Sequence, residues 1–329
     1  MTLSRRSFLH ATGAATLLAV HPFAARAQAG QAHLRIAETT DLHVHVWPYD
    51  YYGDREVDTV GLARTAALIE DVRAVAGNAL VLDNGDFLQG NPMGDFMAYE
   101  RGLEPGDIHP VIAAMNAVGF DAATVGNHEF DDGPEVLRGF MDAVEFPVLM
   151  SNGDVSAEPL LADKLAKSTV IERGGEKLGL IGLTPVDTDE LASPGPNVTF
   201  TEPAQAVQGE VDKLTEMGVN KIIVLSHSGY GVDQAVAEAT TGVDVIVGGH
   251  TNTLLGDMED AEGPYPTMVG DTAIVQAFAY GKFLGELNLT FDDDGVITEA
   301  TALFNNNPNY GKVVVLQTED GVQTMMAHL

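Results

Sequence analysis

The sequence contains no cysteine among its 329 residues. Disulfide bonds and thiolate metal sites are therefore excluded. Any metal ion that this chain binds must be held by imidazole nitrogens and by carboxylate or carboxamide oxygens. A mixed set of such ligands suits Zn, Mn, Fe or Co.

Positive charge is also scarce. The chain has 17 lysines and arginines against 48 aspartates and glutamates, which gives a formal net charge of −31. An acidic surface repels the phosphate backbone of nucleic acids and the headgroups of anionic membranes. We therefore expect a small-molecule partner and no nucleic-acid polymer, and the acidity itself is explained by solubility or by a salty medium.

Long apolar runs are missing after the first residues. At the N-terminus, Arg5-Arg6 precede a weakly apolar, alanine-rich run at 11–20, and 25–27 offer a small-x-small cleavage site. Residues 1–27 thus resemble a twin-arginine signal peptide. A membrane anchor is the alternative, but the run is short and interrupted. We expect export to the periplasm in folded form, a route that suits a metalloprotein, with no membrane association after the signal is removed.

Apolar segments from residue 34 onward alternate with helical patterns and later with hairpins, as is typical of an α/β domain. Helices are predicted at 61–77, 110–118, 134–144 and 203–217. Strands are predicted at 34–37, 79–82, 122–125, 147–150, 168–172, 178–183, 221–225, 243–247, 273–278, 283–291 and 296–303. We assign this domain to residues 28–304.

Immediately after five of the predicted strands, the sequence has side chains of the types that bind metal ions. They are Asp41 with His43, Asp86, Asn127 with His128, His227, and His250 with Asn252. Ligands in open α/β sheets lie at the carboxyl ends of strands, so these groups are expected to meet at one edge. A lone histidine there is usually structural, but five such junctions in order are not expected by chance. The set exceeds one tetrahedral ion and suffices for two ions that share Asp86.

These residues carry a resemblance to a known family. Asp41-x-His43, Gly85-Asp86, the GNHE run at 126–129, His227 and Gly249-His250-x-Asn252 resemble the motifs of calcineurin-like metallophosphoesterases. The stretch 120–131, which ends in GNHEFD, resembles the signature of the 5′-nucleotidase branch. Segments 34–43, 50–52, 81–86 and 106–110 are most similar to the N-terminal catalytic domain of bacterial 2′,3′-cyclic-nucleotide 2′-phosphodiesterase/3′-nucleotidases.

The resemblance implies a four-layer α/β/β/α sandwich with two mixed sheets and a pair of divalent metal ions, whose identity as Mn, Zn, Co or Fe stays open. One ion would be held by Asp41, His43, Asp86 and Asn252. The other would be held by Asp86, Asn127, His227 and His250. His128 would act on the developing charge or the leaving oxygen from outside the metal shell, and Asp131 would orient its ring, while metal-activated water attacks the phosphoester.

Two positions depart from the family pattern. Asn252 stands where the last motif usually has histidine, although some 5′-nucleotidases have glutamine there. Because an amide oxygen can coordinate a metal, we expect a weaker first metal site. Val44 replaces the usual small residue after His43, with no consequence that the sequence reveals.

Relatives of this type continue into a C-terminal domain that binds the nucleobase, so residues 305–329 are expected to be a linker or the truncated start of that domain. The first functional hypothesis is hydrolysis of 2′,3′-cyclic nucleotides and 3′-nucleotides by a monomeric periplasmic hydrolase. The alternatives are a 5′-nucleotidase, an enzyme acting on thiosulfonate-type esters like the related sulfur-oxidation proteins, and an inactive metal-binding remnant without the substrate domain.

Overall fold

The computed structural model describes residues 31–103 and 106–302, together with the backbone of 315–317. The predicted signal at 1–27 lies outside the described residues, as does 305–329 apart from that short strand. The strands are β1 (Ala32–Thr39), β2 (Tyr49–Asp50), β3 (Arg55–Glu56), β4 (Ala79–Asp83), β5 (Ala122–Thr124), β6 (Val148–Leu149), β7 (Gly153–Asp154), β8 (Ser168–Arg173), β9 (Glu176–Leu183), β10 (Thr199–Phe200), β11 (Ile222–Ser226), β12 (Val245–Val247), β13 (Thr267–Val269), β14 (Thr272–Val275), β15 (Phe283–Phe291), β16 (Ile297–Ala302) and β17 (Val315–Gln317).

The helices are α1 (Leu62–Val75), α2 (Pro92–Asp95), α3 (Pro110–Val118), α4 (Gly133–Ala143), α5 (Thr188–Leu191), α6 (Pro203–Glu216) and α7 (Tyr230–Ala239), with a π-helix at Phe96–Arg101 and a 3-10 turn at His128–Phe130. The four predicted helices correspond to α1, α3, α4 and α6. Helix α7 was not predicted, because glycines flank its first residues and its apolar side chains are small. Across the described parts of the chain, none of the helices has the length and apolarity needed to cross a bilayer.

Most of the strands form two mixed sheets. In the first sheet the order is β16-β15-β1-β4-β5-β6, with β17 paired to β15. In the second sheet the order is β13-β14-β12-β11-β9-β8. Strands β1, β4, β5 and β6 run parallel, as do β9, β11, β12 and β14, while antiparallel strands lie toward the outside.

Alternation of side chains along the strands packs the two sheets face to face. In β4, Leu80 joins the core between the sheets, and Val81 joins the core that α1, α3 and α4 cover. In β9, Leu180 faces the inter-sheet core, and Ile181 faces the core under α6 and α7. Three apolar cores therefore separate four layers, which confirms the predicted α/β/β/α sandwich.

One carboxyl group is buried in the core between the sheets. Glu38 of β1 is fully buried and accepts a hydrogen bond from the Tyr265 hydroxyl at 2.9 Å. Burial raises the pKa of Glu38 to about 8, although the bond from Tyr265 acts in the opposite direction. The protonated form is therefore the one that this core accommodates.

This burial predicts a pH dependence of stability. Because the folded-state pKa is raised, the stability that protonated Glu38 contributes is present at low pH and is lost as the pH rises through about 8. Glu38→Gln should remove this loss of stability. Relative to the wild type, its free energy of unfolding should increase by a few kcal/mol between about pH 5 and about pH 9. Urea unfolding at both pH values measures the difference, with the exposed Glu299→Gln as control. Parallel pH profiles of the wild type and Glu38→Gln would contradict the assignment.

Candidate metal centre

The predicted ligand residues lie at the carboxyl ends of parallel strands from both sheets. Asp41, Asp86 and Asn127 follow β1, β4 and β5, whereas His227 and His250 follow β11 and β12 of the second sheet. The loops meet where the two sheets are adjacent. The structure thus brings residues from five separate junctions to one edge.

The distances show how closely the groups approach. His227 Nε2 lies 2.8 Å from Asp86 Oδ2 and 3.8 Å from Asp41 Oδ1. His43 Nε2 lies 3.8 Å from Asp41 Oδ1 and 4.0 Å from Asp86 Oδ2. Ligand atoms of Asp86, His227 and His250 all lie within 4.8 Å of one another. Asp86 therefore stands between two groups of ligands, the position expected of a bridging carboxylate.

Unpaired polar atoms provide a direct test of whether metal ions fit here. Among the described residues, eleven buried side-chain atoms have no hydrogen-bond partner, and four of the eleven belong to predicted ligands: Asp41 Oδ1, Asn127 Oδ1, His227 Nε2 and Asn252 Oδ1. His227 Nε2 has the Asp86 carboxylate as an ion-pair partner at 2.8 Å when the ring is protonated. An unsatisfied buried polar atom costs about 1–3 kcal/mol. The four that belong to predicted ligands fit a site built to hold cations.

Two histidines have their ring orientation fixed by backbone carbonyl groups. The Nδ1 atom of His43 pairs with the Gln89 carbonyl oxygen at 2.9 Å, and the Nδ1 atom of His227 pairs with the Asn84 carbonyl oxygen. Since a carbonyl only accepts, each Nδ1 carries the proton. Each Nε2 is therefore the nitrogen that remains to face a metal ion.

Electrostatics at the edge favour added positive charge. Burial raises the pKa of Asp41 to about 7. Burial acts on Asp86 in the same direction, but the His227, His43 and His128 imidazoles together outweigh it and hold the pKa of Asp86 well below its usual range. In His227 burial is outweighed by the Asp86 and Asp41 carboxylates, which raise its pKa to about 10. At His43 the neighbouring Asp86 carboxylate does not outweigh burial, which lowers the pKa of His43 to about 4. A cation among these groups would replace the proton on His227.

The backbone of the site is held in an unusual conformation. Asp41, His43, Asp86, His250 and Asn252 have φ values of 51°, 41°, 57°, 72° and 50°. Only a few per cent of non-glycine residues adopt positive φ, and such residues concentrate at functional sites. Val44, next to His43, has φ 58° although it is β-branched, so a smaller residue would adopt this conformation with less strain. Strain is thus concentrated in the loops that carry the predicted ligands.

Glu129 joins two of these loops, a role that the sequence did not reveal. Its buried carboxylate accepts backbone N–H bonds from Asp86 at 2.8 Å, Phe87 at 2.8 Å, Leu88 at 3.1 Å and Gly126 at 2.6 Å. Burial raises the pKa of Glu129 to about 7, while these bonds act in the opposite direction. Its place in the GNHE motif was the available signal. The carbonyl groups that orient His43 and His227 could not be predicted either, because they belong to the backbone and no side chain marks them.

Glycine is required where the loops approach one another most closely. A Cβ atom on Gly126 would overlap the Asp86 carboxylate and the His227 ring. A Cβ atom on Gly90, which has φ 120°, would overlap the His43 ring. These two glycines therefore let the ligand side chains pack directly against the backbone.

The His128–Asp131 pair adjoins the predicted ligands. His128 Nδ1 lies 2.6 Å from Asp131 Oδ2, and its backbone N–H donates to Asp86 Oδ1 at 2.9 Å. The hydrogen bond to Asp131 raises the pKa of His128 to about 9. The His128 and His43 rings are edge to face at 5.0 Å. Ligand atoms of His43, Asp86 and His128 also lie within 4.8 Å of one another, so the geometry permits His128 to bind a metal as well.

Two other histidines that the sequence left outside the site have structural contacts. His109 is buried, accepts the Val111 N–H as the cap of α3, and packs edge to face on Phe140 at 5.2 Å. His45 bonds to the Leu42 carbonyl through Nδ1 at 3.0 Å and packs on Tyr280 at 4.8 Å. His109 is thus a core residue, and His45 lies beside the centre.

Comparison with known proteins identifies the family of this chain. The family model of the calcineurin-like phosphoesterases matches residues 34–253. This chain belongs to that family. Phosphoesterases of this kind are hydrolases, so the predicted enzyme class is confirmed.

Several relatives of this phosphoesterase are named 5′-nucleotidases. It is 39% identical over 302 residues to the 5′-nucleotidase of Diplobatis ommata, covering 87% of this chain and 51% of the relative. The crystal structure of a 5′-nucleotidase precursor from Thermus thermophilus is 36% identical, with a TM-score of 0.75, over 90% of this chain and 58% of that one. The calcineurin-like phosphoesterase YfkN from Bacillus subtilis is 27% identical, with a TM-score of 0.72, over 91% of this chain and 98% of that one. The chain spans about half the length of the curated relatives it matches.

The contacts of Glu129 predict its effect on metal binding. Glu129→Gln keeps the shape of the side chain but places an amide donor against backbone N–H donors, which should separate the loops of Asp86 and Gly126. We expect metal affinity to fall by about 10–100-fold, as measured by calorimetric titration with Mn²⁺. The exposed Glu135→Gln is the control. Unchanged affinity in a folded Glu129→Gln protein would show that the loops hold their positions without this carboxylate.

Proposed function

We propose that this phosphoesterase hydrolyses nucleotide phosphoesters with two divalent metal ions. The observation that carries the proposal is the set of four unpaired, buried ligand atoms at the edge where the two sheets meet. The first ion is assigned to Asp41, His43, Asp86 and Asn252. The second ion is assigned to Asp86, Asn127, His227 and His250. Mn, Zn, Co and Fe all suit these donors.

When bound, such a pair of ions clamps the phosphoryl oxygens and lowers the pKa of the attacking water. The protein contributes the fixed positions of the ligands and a proton donor. His128 Nδ1 donates to Asp131 Oδ2, which leaves Nε2 as the atom that faces a substrate. From there His128 would stabilise charge on the phosphoryl group or give a proton to the leaving oxygen. Asp131 would hold the ring in place.

The substrate we propose is a 5′-nucleotide, because the relatives from Diplobatis ommata and Thermus thermophilus bear that name. The predicted action on 2′,3′-cyclic nucleotides and 3′-nucleotides is the second candidate. The motif resemblance in segments 34–43 and 50–52 favours this second candidate. The second of these segments lies in the hairpin of β2 and β3.

Export and assembly complete the proposal. The twin-arginine signal at 1–27 would deliver a folded, metal-loaded monomer to the periplasm. The catalytic unit would comprise 28–304. Residues 305–329 would lead toward a nucleotide-binding domain. In support, the curated relatives are about twice as long as the part that this chain matches.

A substrate panel tests the activity. The purified chain, supplied with Mn²⁺, Co²⁺ or Zn²⁺, should hydrolyse 5′-AMP faster than 3′-AMP or 2′,3′-cyclic AMP, as measured by chromatography of the nucleoside and nucleotide products, and a chelator should abolish hydrolysis. Higher turnover of the cyclic nucleotide would favour the second candidate. Absence of turnover on all of these and on bis-p-nitrophenyl phosphate, despite two bound ions, would identify a metal-binding protein without this activity.

His128→Ala distinguishes a proton donor from a metal ligand. We expect the variant to keep two metal ions per chain and to lose about 10²–10⁴-fold in kcat, since it removes a general acid. Asp131→Asn should give a smaller loss with the same metal content. Metal content is measured by elemental analysis of dialysed protein. Loss of one ion from His128→Ala would instead assign His128 to the metal shell, as its distance to His43 and Asp86 permits.

A further inference from the structure

A buried amide lies beside the loop that carries two of the predicted ligands. Gln276 directly follows β14, whose last residue pairs with Val247, the last residue of β12. None of its surface is exposed to solvent. Glutamine is rarely buried to this extent, so its hydrogen bonds show what the side chain does there. The proposed hydrolysis does not use it.

The amide of Gln276 holds three residues of the loop after β12. Its Nε2 donates to the Gly249 carbonyl oxygen at 3.0 Å. Its Oε1 accepts hydrogen bonds from the Thr253 backbone N–H and from the Thr251 hydroxyl, the latter at 3.2 Å. A backbone carbonyl only accepts and a backbone N–H only donates, so these partners fix which end of the amide faces which residue. The loop therefore needs a side chain that is donor and acceptor at once.

The residues that Gln276 holds alternate with the two ligands. His250 and Asn252 each lie between two of them in the sequence. Both ligands have positive φ values, 72° and 50°. Such a backbone conformation persists only where the surrounding structure supports it. The amide supplies that support on either side of each ligand.

The main chain closes the same loop at both ends. The Gly248 N–H donates to the Val275 carbonyl at 2.7 Å, and the Phe278 N–H donates to the Thr253 carbonyl at 3.1 Å. Gln276 lies between these two connections. A Cβ atom on Gly248 would be only 2.9 Å from Gln276 Nε2, so the glycine leaves the space that the amide occupies.

The held loop also contacts Asp41, a predicted ligand from the other sheet. The His250 N–H donates to Asp41 Oδ2 at 3.1 Å, and the Thr40 hydroxyl donates to the same oxygen at 2.6 Å. Asp41 Oδ1 accepts no hydrogen bond and remains for a metal ion. A shift of the loop would therefore displace His250 and disturb Asp41 at the same time.

We propose that Gln276 is a positioning residue of the metal centre, which holds His250 for one ion and Asn252 for the other. The inference rests on the proposed pair of metal ions. Loss of a hydrogen-bonding partner behind metal ligands typically lowers metal affinity by about 10–100-fold. Because Gln276 holds ligands of both ions, its loss should weaken both sites.

Gln276→Met tests this role, because methionine has nearly the same length and no group that replaces the amide. In the metal-free protein, amide hydrogen exchange of a peptide that covers 248–254 should become about 10-fold faster. Gln208→Met is the matched control. Gln208 Oε1 accepts the Thr241 N–H at 2.9 Å, and its Nε2 donates to the Thr241 carbonyl at 3.4 Å, but that loop carries no predicted ligand.

Metal titration gives the second readout. The Mn²⁺ affinity of Gln276→Met, measured by calorimetry, should fall by about 10–100-fold at both sites, whereas Gln208→Met should keep the wild-type affinity. Unchanged exchange at 248–254, or unchanged affinity in a folded Gln276→Met protein, would overturn the proposal. An equal loss of affinity in Gln208→Met would also overturn it, because the effect would then be a general loss of stability.

Thr251→Val provides a test that does not alter the core, because Thr251 is exposed. It removes one of the two hydrogen bonds to Gln276 Oε1 and should lower Mn²⁺ affinity by about 2–10-fold, with faster exchange at 248–254. No change in either quantity would contradict the role of Gln276.

Neither readout requires turnover, so the inference and the proposed function can fail separately. Weakened metal binding by Gln276→Met in a chain that hydrolyses no ester would support the positioning role and refute only the proposed activity. Tight binding of two ions that Gln276→Met leaves unchanged would refute only the positioning role.

Discussion

Two carboxylates, Asp41 and Asp86, are buried within reach of the same imidazole, and the surrounding structure depends on how their negative charge is balanced. Like charges that approach in a buried site are costly unless a cation lies between them. His227 supplies that charge when it is protonated. A pair of divalent ions would balance it better, because they would also engage Asn127 and Asn252, whose buried amide oxygens otherwise lack partners.

Support for this charge cluster comes from the loops themselves. Glu129 binds four backbone N–H groups and so ties the loop after β4 to the loop after β5. Backbone carbonyls fix the rings of His43 and His227. The left-handed conformation of five predicted ligands is retained because both sheets and their cores hold the loop ends. Rigid strands thus carry the strain that the ligand geometry requires.

The sequence predicted the parts of this structure that have a strong local pattern. Apolar strands followed by Asp, Asn or His were visible at five junctions, and the structure brings all of them to one edge. The role of each ligand stays a prediction, because the two assigned sets share Asp86 and His128 lies within the same distances. Glu129 looked like any other residue of its motif, since its importance lies in four backbone N–H groups, three of which belong to the distant loop after β4. Helix α7 was not predicted, because small apolar residues beside glycine leave no periodic signal.

Anomalous diffraction from crystals soaked in Mn²⁺ tests the central claim most directly. Two peaks about 3.5–4 Å apart are expected, both in contact with the Asp86 carboxylate, with His128 outside the coordination of either ion. A single peak, or two peaks that do not share Asp86, would contradict the dinuclear centre assigned to this edge of the fold.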